Sequence, residues 1–297
     1  MDYGFLVTAA CLYAFMFFFN KKYQKNNGTG LKVALTFTFF TSIVSLLIFI
    51  ALAVIGEVSG LAFFENFTFQ FSWVSLLITA ISALGTICFS IFSIKAFGVA
   101  NLSVFSTFAM LGGMLLPSLY GLIFSDEALT WGKVGCYVLI FIALCLTFEK
   151  GKQGKKAMLY CFGVFFLNGL SGVLTSIHRD LGESGVQIVN SGSYMMLSRL
   201  SSIVFCFVVL IAVTKKLPEI KSRDFGNVLG NAASGGIGNL LQYVALLTLD
   251  SSVLFPIITG GTMLSSMVVS LVTREKVKPK AIIAAAIAAL STVLMLF

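Results

Sequence analysis

Long apolar runs constrain the fold of this chain more than any other feature. Ten stretches of mainly apolar residues follow one another through 297 residues, separated by short polar connections. A helix needs about 20 apolar residues to cross the hydrocarbon core of a bilayer, and it satisfies its own backbone hydrogen bonds there. Each run therefore predicts a transmembrane helix. The predicted spans are Tyr3–Phe19, Lys32–Ile55, Trp73–Ile94, Ser103–Phe124, Gly132–Phe148, Ala157–Ile177, Ser191–Thr214, Gly226–Leu249, Ser252–Thr273 and Ala281–Phe297.

Composition excludes most other classes of protein. The chain is 58% hydrophobic and only 11% charged, too little charge to cover the surface of a soluble domain of this size. The six cysteines lie in apolar runs without a Cys-x-x-Cys pair, and there is one histidine. We therefore expect an all-α integral membrane protein without a metal site or cofactor. Its partners should be membrane lipid and a small molecule, not nucleic acid, and a homodimer stays open.

The basic residues predict an orientation. All but three of the 20 Lys and Arg residues lie in the connections that follow spans one, three, five, seven and nine. The exceptions are Lys133, Arg179 and Arg199. The positive-inside rule places those five connections in the cytoplasm and both termini outside, in a multi-pass protein of the plasma (inner) membrane. The longest polar connection, Asn20 to Gly30, is expected to be a surface loop.

The sequence also resembles itself. The segment beginning "AFGVANLSVFSTFAMLGGMLLPS" at Ala96 matches "ALLTLDSSVLFPIITGGTMLSS" at Ala245, with Gly112 aligned to Gly261. This repeat predicts two five-helix halves, residues 1–150 and 151–297. Because five is odd, the second half would enter the membrane inverted, as in many secondary transporters. Chance similarity between apolar helices is the alternative.

The paired segments "GGMLLPSLYGLIFSDEALT" and "GGTMLSSMVVSLVTREKVK", each followed by one more apolar helix, resemble the EamA-like branch of the drug/metabolite transporter superfamily. The resemblance implies a ten-helix carrier, and it gives Glu127 and Glu275 a structural role in an acidic turn. The sequence departs from its relatives in two respects. It lacks the proline usual around Ser265, and its charge bias places the termini outside.

The eighth predicted span contains the most polar stretch within any span, "GNAASGGIGNLLQY". At 100° per residue, Asn231, Ser234 and Gln242 fall on one side of the helix, together with several glycines. A polar and small stripe on a membrane helix faces protein or water and not lipid. This stripe predicts either a cavity wall or a tightly packed helix seam, and one helix can provide both.

Four further residues are candidates for substrate contact. Asn168 lies midway along the sixth span, and Thr259 lies on a hydroxyl-bearing face of the ninth. Tyr13 occupies a position where relatives of the resembled family often carry an aromatic residue. Arg199 is the one charge within a span, and it either reaches to the outer interface or contacts the substrate.

The distribution of acidic residues narrows the expected function. The twelve Asp and Glu residues all fall in connections or at span ends, so no carboxylate is expected at the midplane. Such a cavity suits a small neutral or zwitterionic, amino-acid-like metabolite, carried by alternating access. The alternatives are a transporter of cationic drugs or lipid-linked substrates from the same superfamily, and a non-transporting accessory membrane protein. No catalytic residues and no enzyme are expected, because the clustered His, Asp, Glu or Cys that catalysis needs are missing.

Overall fold

The computed structural model describes residues 2–59, 69–124, 128–146, 152–246, 251–275 and 279–294. Within these ranges the secondary structure is entirely helical, which confirms the all-α prediction. The helices are α1 (Asp2–Asn27), α2 (Leu31–Ser59), α3 (Trp73–Phe97), α4 (Leu102–Phe124), α5 (Trp131–Leu146), α6 (Lys152–Glu183), α7 (Ser191–Thr214), α8 (Ser222–Leu246), α9 (Ser251–Val272) and α10 (Pro279–Leu294). The predicted boundary between the halves, at residues 150 and 151, lies outside the described residues, as does Glu127.

Six of these helices, α1–α4, α6 and α7, are long and apolar enough to cross a membrane. Shorter apolar helices lie at Trp131–Leu146, Ile257–Val272 and Ile282–Leu294. Many of the exposed side chains of the long helices are large and hydrophobic, as expected for surfaces that face lipid. The fold is that of an α-helical membrane protein.

The expected loop at Asn20–Gly30 is wrong, because α1 continues to Asn27. Lysine and glutamine favour helix once the chain leaves the apolar region. The extension packs inward, since Tyr23 is buried and its ring lies 4.5 Å from that of Phe37. The helix ends at Gly28, whose φ of +85° suits glycine.

The helices pack in a pattern that repeats with a period of five. α1 packs against α8 and α9, and α6 packs against α3 and α4. α2 contacts α7, α4 contacts α9, and α5 contacts α10. If each helix is exchanged with the one five positions away in the chain, these contacts of α1 become those of α6, and those of α6 become those of α1. The pairs α2–α7, α4–α9 and α5–α10 stay the same.

Two glycines permit close helix approaches at corresponding places in this pattern. A Cβ at Gly112 of α4 would lie 2.6 Å from the carbonyl carbon of Phe165 in α6. A Cβ at Gly261 of α9 would lie 2.8 Å from the Cβ of Ala10 in α1. These are the glycines that the sequence repeat aligns. They lie at corresponding helix contacts, α4 with α6 and α9 with α1.

One end of the bundle, here called the basic end, carries the C-termini of α1 and α9 and the N-termini of α4 and α8. Lys21 Nζ lies 2.7 Å from Glu275 Oε2, which also accepts a hydrogen bond from the Leu102 amide (3.1 Å). Asn26 donates to Asp224 Oδ1 at 2.8 Å. Burial alone would raise the pKa of the Asp224 carboxyl, but hydrogen bonds from Asn26 and Asn27 and the charge of Arg223 hold that pKa below its ordinary value.

The opposite end, called the mouth end, carries the N-terminus of α3 and the α6–α7 connection. Ser72 donates to the Gln187 carbonyl at 2.7 Å, and the Gln70 amide donates to Ser193 Oγ at 2.7 Å. These contacts fix the segment before α3 against the beginning of α7.

Candidate functional site: a central cavity

A cavity of about 870 Å³ lies between the helices. Residues of α1–α4 and α6–α9 line it, so both predicted halves contribute. Its volume falls within the range of small-molecule binding sites. Its wall combines amide and hydroxyl groups with large apolar side chains, and the apolar part consists mainly of Met16, Phe17, Phe37, Phe89, Met110, Leu167, Phe255 and Ile258.

The structure brings six of the seven candidate binding residues together. Ser234 is buried but does not line the cavity. α8 packs against both α1 and α2, so its polar stripe is wider than the part that faces the cavity. A role in substrate binding stays a prediction for every member of the set. The six lining residues are Tyr13, Asn168, Arg199, Asn231, Gln242 and Thr259.

Tyr13 joins two amides of α8. Its hydroxyl lies 2.8 Å from Asn239 Oδ1 and 2.6 Å from Gln242 Oε1. A hydroxyl carries one proton and can donate only one such bond. Since amide oxygen and nitrogen are interchangeable by a flip, the second amide satisfies the hydroxyl by turning its NH₂ group toward it. Beyond its bonds to the hydroxyl, the cluster then has both N–H donors and an amide oxygen to offer to other partners.

The other two candidate amides also hold helices together. Asn168 donates to the Ala109 carbonyl of α4 at 2.6 Å, and Asn231 donates to the Met16 carbonyl of α1 at 2.7 Å. Each of these side chains thus lines the cavity while bonding across a helix interface. The two hypotheses for α8, cavity wall and packing seam, both describe it.

The glycines of α8 form the packing part of that helix. A Cβ at Gly230 would meet the Phe19 ring at 2.7 Å, and one at Gly235 would meet Met16 Sδ at 2.8 Å. Gly238 lies against Tyr13, with a Cβ distance of 3.3 Å. Larger residues at these positions would push α8 away from α1 and displace the amides that Tyr13 contacts.

Arg199 points into the cavity and does not lie at a lipid-facing interface. It is eight residues beyond Ser191, which places it about 12 Å down the axis of α7 from the mouth end. It lines the same cavity as Tyr13. Among the carboxylates in the described ranges, none lies within 4.0 Å of its guanidinium.

As far as the described residues show, the cavity opens at the mouth end and is closed at the basic end. Near the mouth its lining includes the exposed side chains of Thr175, Arg179 and Glu183 on α6. Toward the basic end its lining includes Asn20 and Phe37, which are 7% and 3% exposed. Beyond them lie the Tyr23–Phe37 ring contact and the Lys21–Glu275 ion pair. Within the described part of the chain, the cavity is therefore accessible from one end.

Asn239, Asn20 and His178 are among the polar groups of the wall that sequence reasoning missed. Asn239 lies three residues before Gln242, at the edge of the stripe, a spacing that could have indicated it. Asn20 was assigned to a loop. His178 lines the cavity and lies 2.9 Å from Ser75 Oγ, a contact that no sequence pattern suggests. In the described part of the chain no group of three His, Cys, Asp or Glu residues could hold a metal ion.

Comparison with known proteins supports the fold but identifies neither a family nor a function. No protein-family model matches the chain, and no curated protein matches it. A solved structure described as "Crystal structure of protein" superposes with a TM-score of 0.62 at 14% identity, over 98% of this chain and 96% of that chain. At this identity the similarity establishes a shared fold only. The same fold type recurs, since 26 chains of solved structures match.

Proposed function

We propose that the protein is a secondary transporter that moves a small metabolite across the plasma membrane by alternating access. The observation that carries this proposal is the central cavity, which both halves line and which is open at one end and sealed at the other. A carrier needs such a site near the middle of the membrane, and its cavity must be able to close at either end in turn. In this account the basic end is cytoplasmic, as its lysines and arginines favour.

The proposal includes ten membrane-crossing helices in two inverted halves. The helix contacts support it, because exchanging helices five apart converts the contacts of α1 with α8 and α9 into those of α6 with α3 and α4. The aligned glycines, Gly112 and Gly261, lie at corresponding contacts. α8 is not one of the six helices that are long and apolar enough to cross a membrane, but amides of α8 line the cavity and several of its glycines pack against α1. The chain would then be a ten-helix member of the drug/metabolite transporter superfamily, EamA-like branch.

The lining supports a neutral or zwitterionic, amino-acid-like substrate. Amides and hydroxyls offer both donors and acceptors, and the phenylalanines and methionines offer apolar contact. A cationic drug fits less well. The charged group deep in the cavity is Arg199, and the carboxylate among the described lining residues, Glu183, lies near the mouth end on α6.

Transport by purified protein tests this proposal. Proteoliposomes would be incubated with a defined mixture of amino acids and related metabolites, and the accumulated solutes identified by mass spectrometry. We expect selective uptake of a few solutes relative to protein-free liposomes. Gln242→Leu should reduce that uptake several-fold, since a lost hydrogen bond costs about 1 kcal/mol.

Ile237→Leu is the matched control, since Ile237 lies on the exposed face of the same helix and receives the same new side chain. It should transport normally. Uptake of no solute by correctly folded protein, or equal uptake by wild-type protein and Gln242→Leu, would contradict the proposal.

A further inference from the structure

Arg199 brings an unbalanced positive charge into the inner part of the cavity. In the part of the chain that the structure describes, no carboxylate lies within salt-bridge distance of it. The two other charged groups among the described lining residues, Arg179 and Glu183, lie near the mouth and pair with each other at 3.5 Å. Within the described residues, the charge of Arg199 is therefore uncompensated. An unpaired charge removed from bulk water is costly, and an arriving anion would relieve that cost.

The groups beside Arg199 also favour an anion. A guanidinium has five N–H donors and no acceptor. Tyr13, which lines the same cavity as Arg199, bonds to Asn239 and Gln242, and these amides supply further N–H donors. A carboxylate accepts hydrogen bonds at two oxygens and matches the planar fork of arginine. An ammonium group would be repelled by the Arg199 charge, and an uncharged amide would leave that charge unbalanced.

The remainder of the wall indicates what such an anion would carry. Phe17, Phe89 and Met110 line the cavity, as do Phe255 and Ile258 of α9. Aromatic and methionine side chains favour an apolar or aromatic body. The charge of one arginine balances one carboxylate.

We infer that the cavity binds a small solute through one carboxylate group, held by Arg199 with the Tyr13–Asn239–Gln242 cluster, and that its apolar part lies against the phenylalanine and methionine wall. As a statement about a transported substrate, this rests on the proposed function. It narrows that function, because solutes without an acidic group would lack the main contact.

Binding to purified, detergent-solubilised protein tests the inference without any transport assay. The probes are 3-phenylpropionate and 3-phenylpropionamide, which share a size and shape but differ in charge. Isothermal titration should show the acid binding roughly tenfold or more tightly than the amide. Arg199→Gln should remove this preference. Arg199→Lys should retain part of it, since lysine keeps the charge but loses the fork.

Arg274→Gln is the matched control, because it removes an exposed arginine beyond the end of α9. It should bind both probes as wild-type protein does. If Arg199→Gln fails to fold, the wild-type protein still gives a result. Phenylglyoxal modifies arginines covalently, and mass spectrometry should show that 3-phenylpropionate, but not its amide, protects Arg199 from modification.

Three results would overturn the inference: equal binding of acid and amide, no binding of either, or an undiminished preference in folded Arg199→Gln. Failure of the proposed function looks different. In that case the acid would bind through Arg199 while proteoliposomes accumulated no solute.

Discussion

Gly112→Ala tests the closest helix contact in the bundle. The new Cβ would lie 2.6 Å from the carbonyl carbon of Phe165 and 2.7 Å from its Cα, whereas ordinary contact begins at 3.4 Å. The Phe165 carbonyl oxygen lies closer still, so α4 and α6 would have to separate by more than 0.8 Å at this point. The atoms in the way belong to a helix backbone, so a rotamer change cannot relieve the overlap. Overpacking of this kind costs about 1–3 kcal/mol, and we expect the melting temperature in detergent to fall by several degrees.

Gly85→Ala is the control, since a Cβ at Gly85 would meet nothing within 4 Å. Alanine favours helix over glycine by about 1 kcal/mol, so this variant should be as stable as wild-type protein or more so. Differential scanning fluorimetry of the two variants under identical conditions gives the comparison. Equal melting temperatures for Gly112→Ala and Gly85→Ala would refute the proposed packing of α4 on α6.

Three further predictions follow from other contacts. Tyr13→Phe should lower the free energy of unfolding by only about 1 kcal/mol, because cavity water can replace the lost hydroxyl, but it should weaken substrate binding several-fold. Tyr3→Phe, at an exposed position, is the control and should change neither quantity in the same titration and melting assays. Glu275→Gln should weaken the closed basic end, because it removes the 2.7 Å ion pair with Lys21. In a Thr38→Cys background, the new thiol should then react faster with a polar thiol reagent added at that end. An unchanged reaction rate would contradict a gating role for the pair. The charge bias predicts that a fluorescent protein fused after Phe297 stays dark and a phosphatase there is active, and a bright fusion would show that the orientation is inverted.

The helical architecture was accessible from sequence because lipid imposes simple rules. Apolar length predicts helices, and in the described ranges the chain is helical. The polar face of α8 was equally visible, because a membrane helix hides amides from lipid. Of its candidate residues, Asn231 and Gln242 line the cavity.

Other features depend on partners distant in the sequence. Hydropathy ends a predicted span where the apolar residues end, so the extension of α1 to Asn27 and the burial of Asn20 were missed. Helical periodicity defines a polar stripe but not which part of it faces a neighbouring helix, so Ser234 was included and Asn239 was not. For Arg199, sequence left two alternatives, and the packing of α7 turns it into the cavity beside Tyr13.

Access to the cavity from both sides of the membrane tests the central claim most directly. Thr41 lines the cavity and is 8% exposed, and Thr41→Cys would be introduced into a chain whose native cysteines are replaced. A membrane-impermeant thiol reagent would then be added to intact cells and, separately, to inside-out vesicles from those cells. Alternating access predicts labelling of Cys at position 41 in both preparations, although the structure is open only at the mouth end. Labelling from one side alone, under every condition and with the protein folded, would contradict the account.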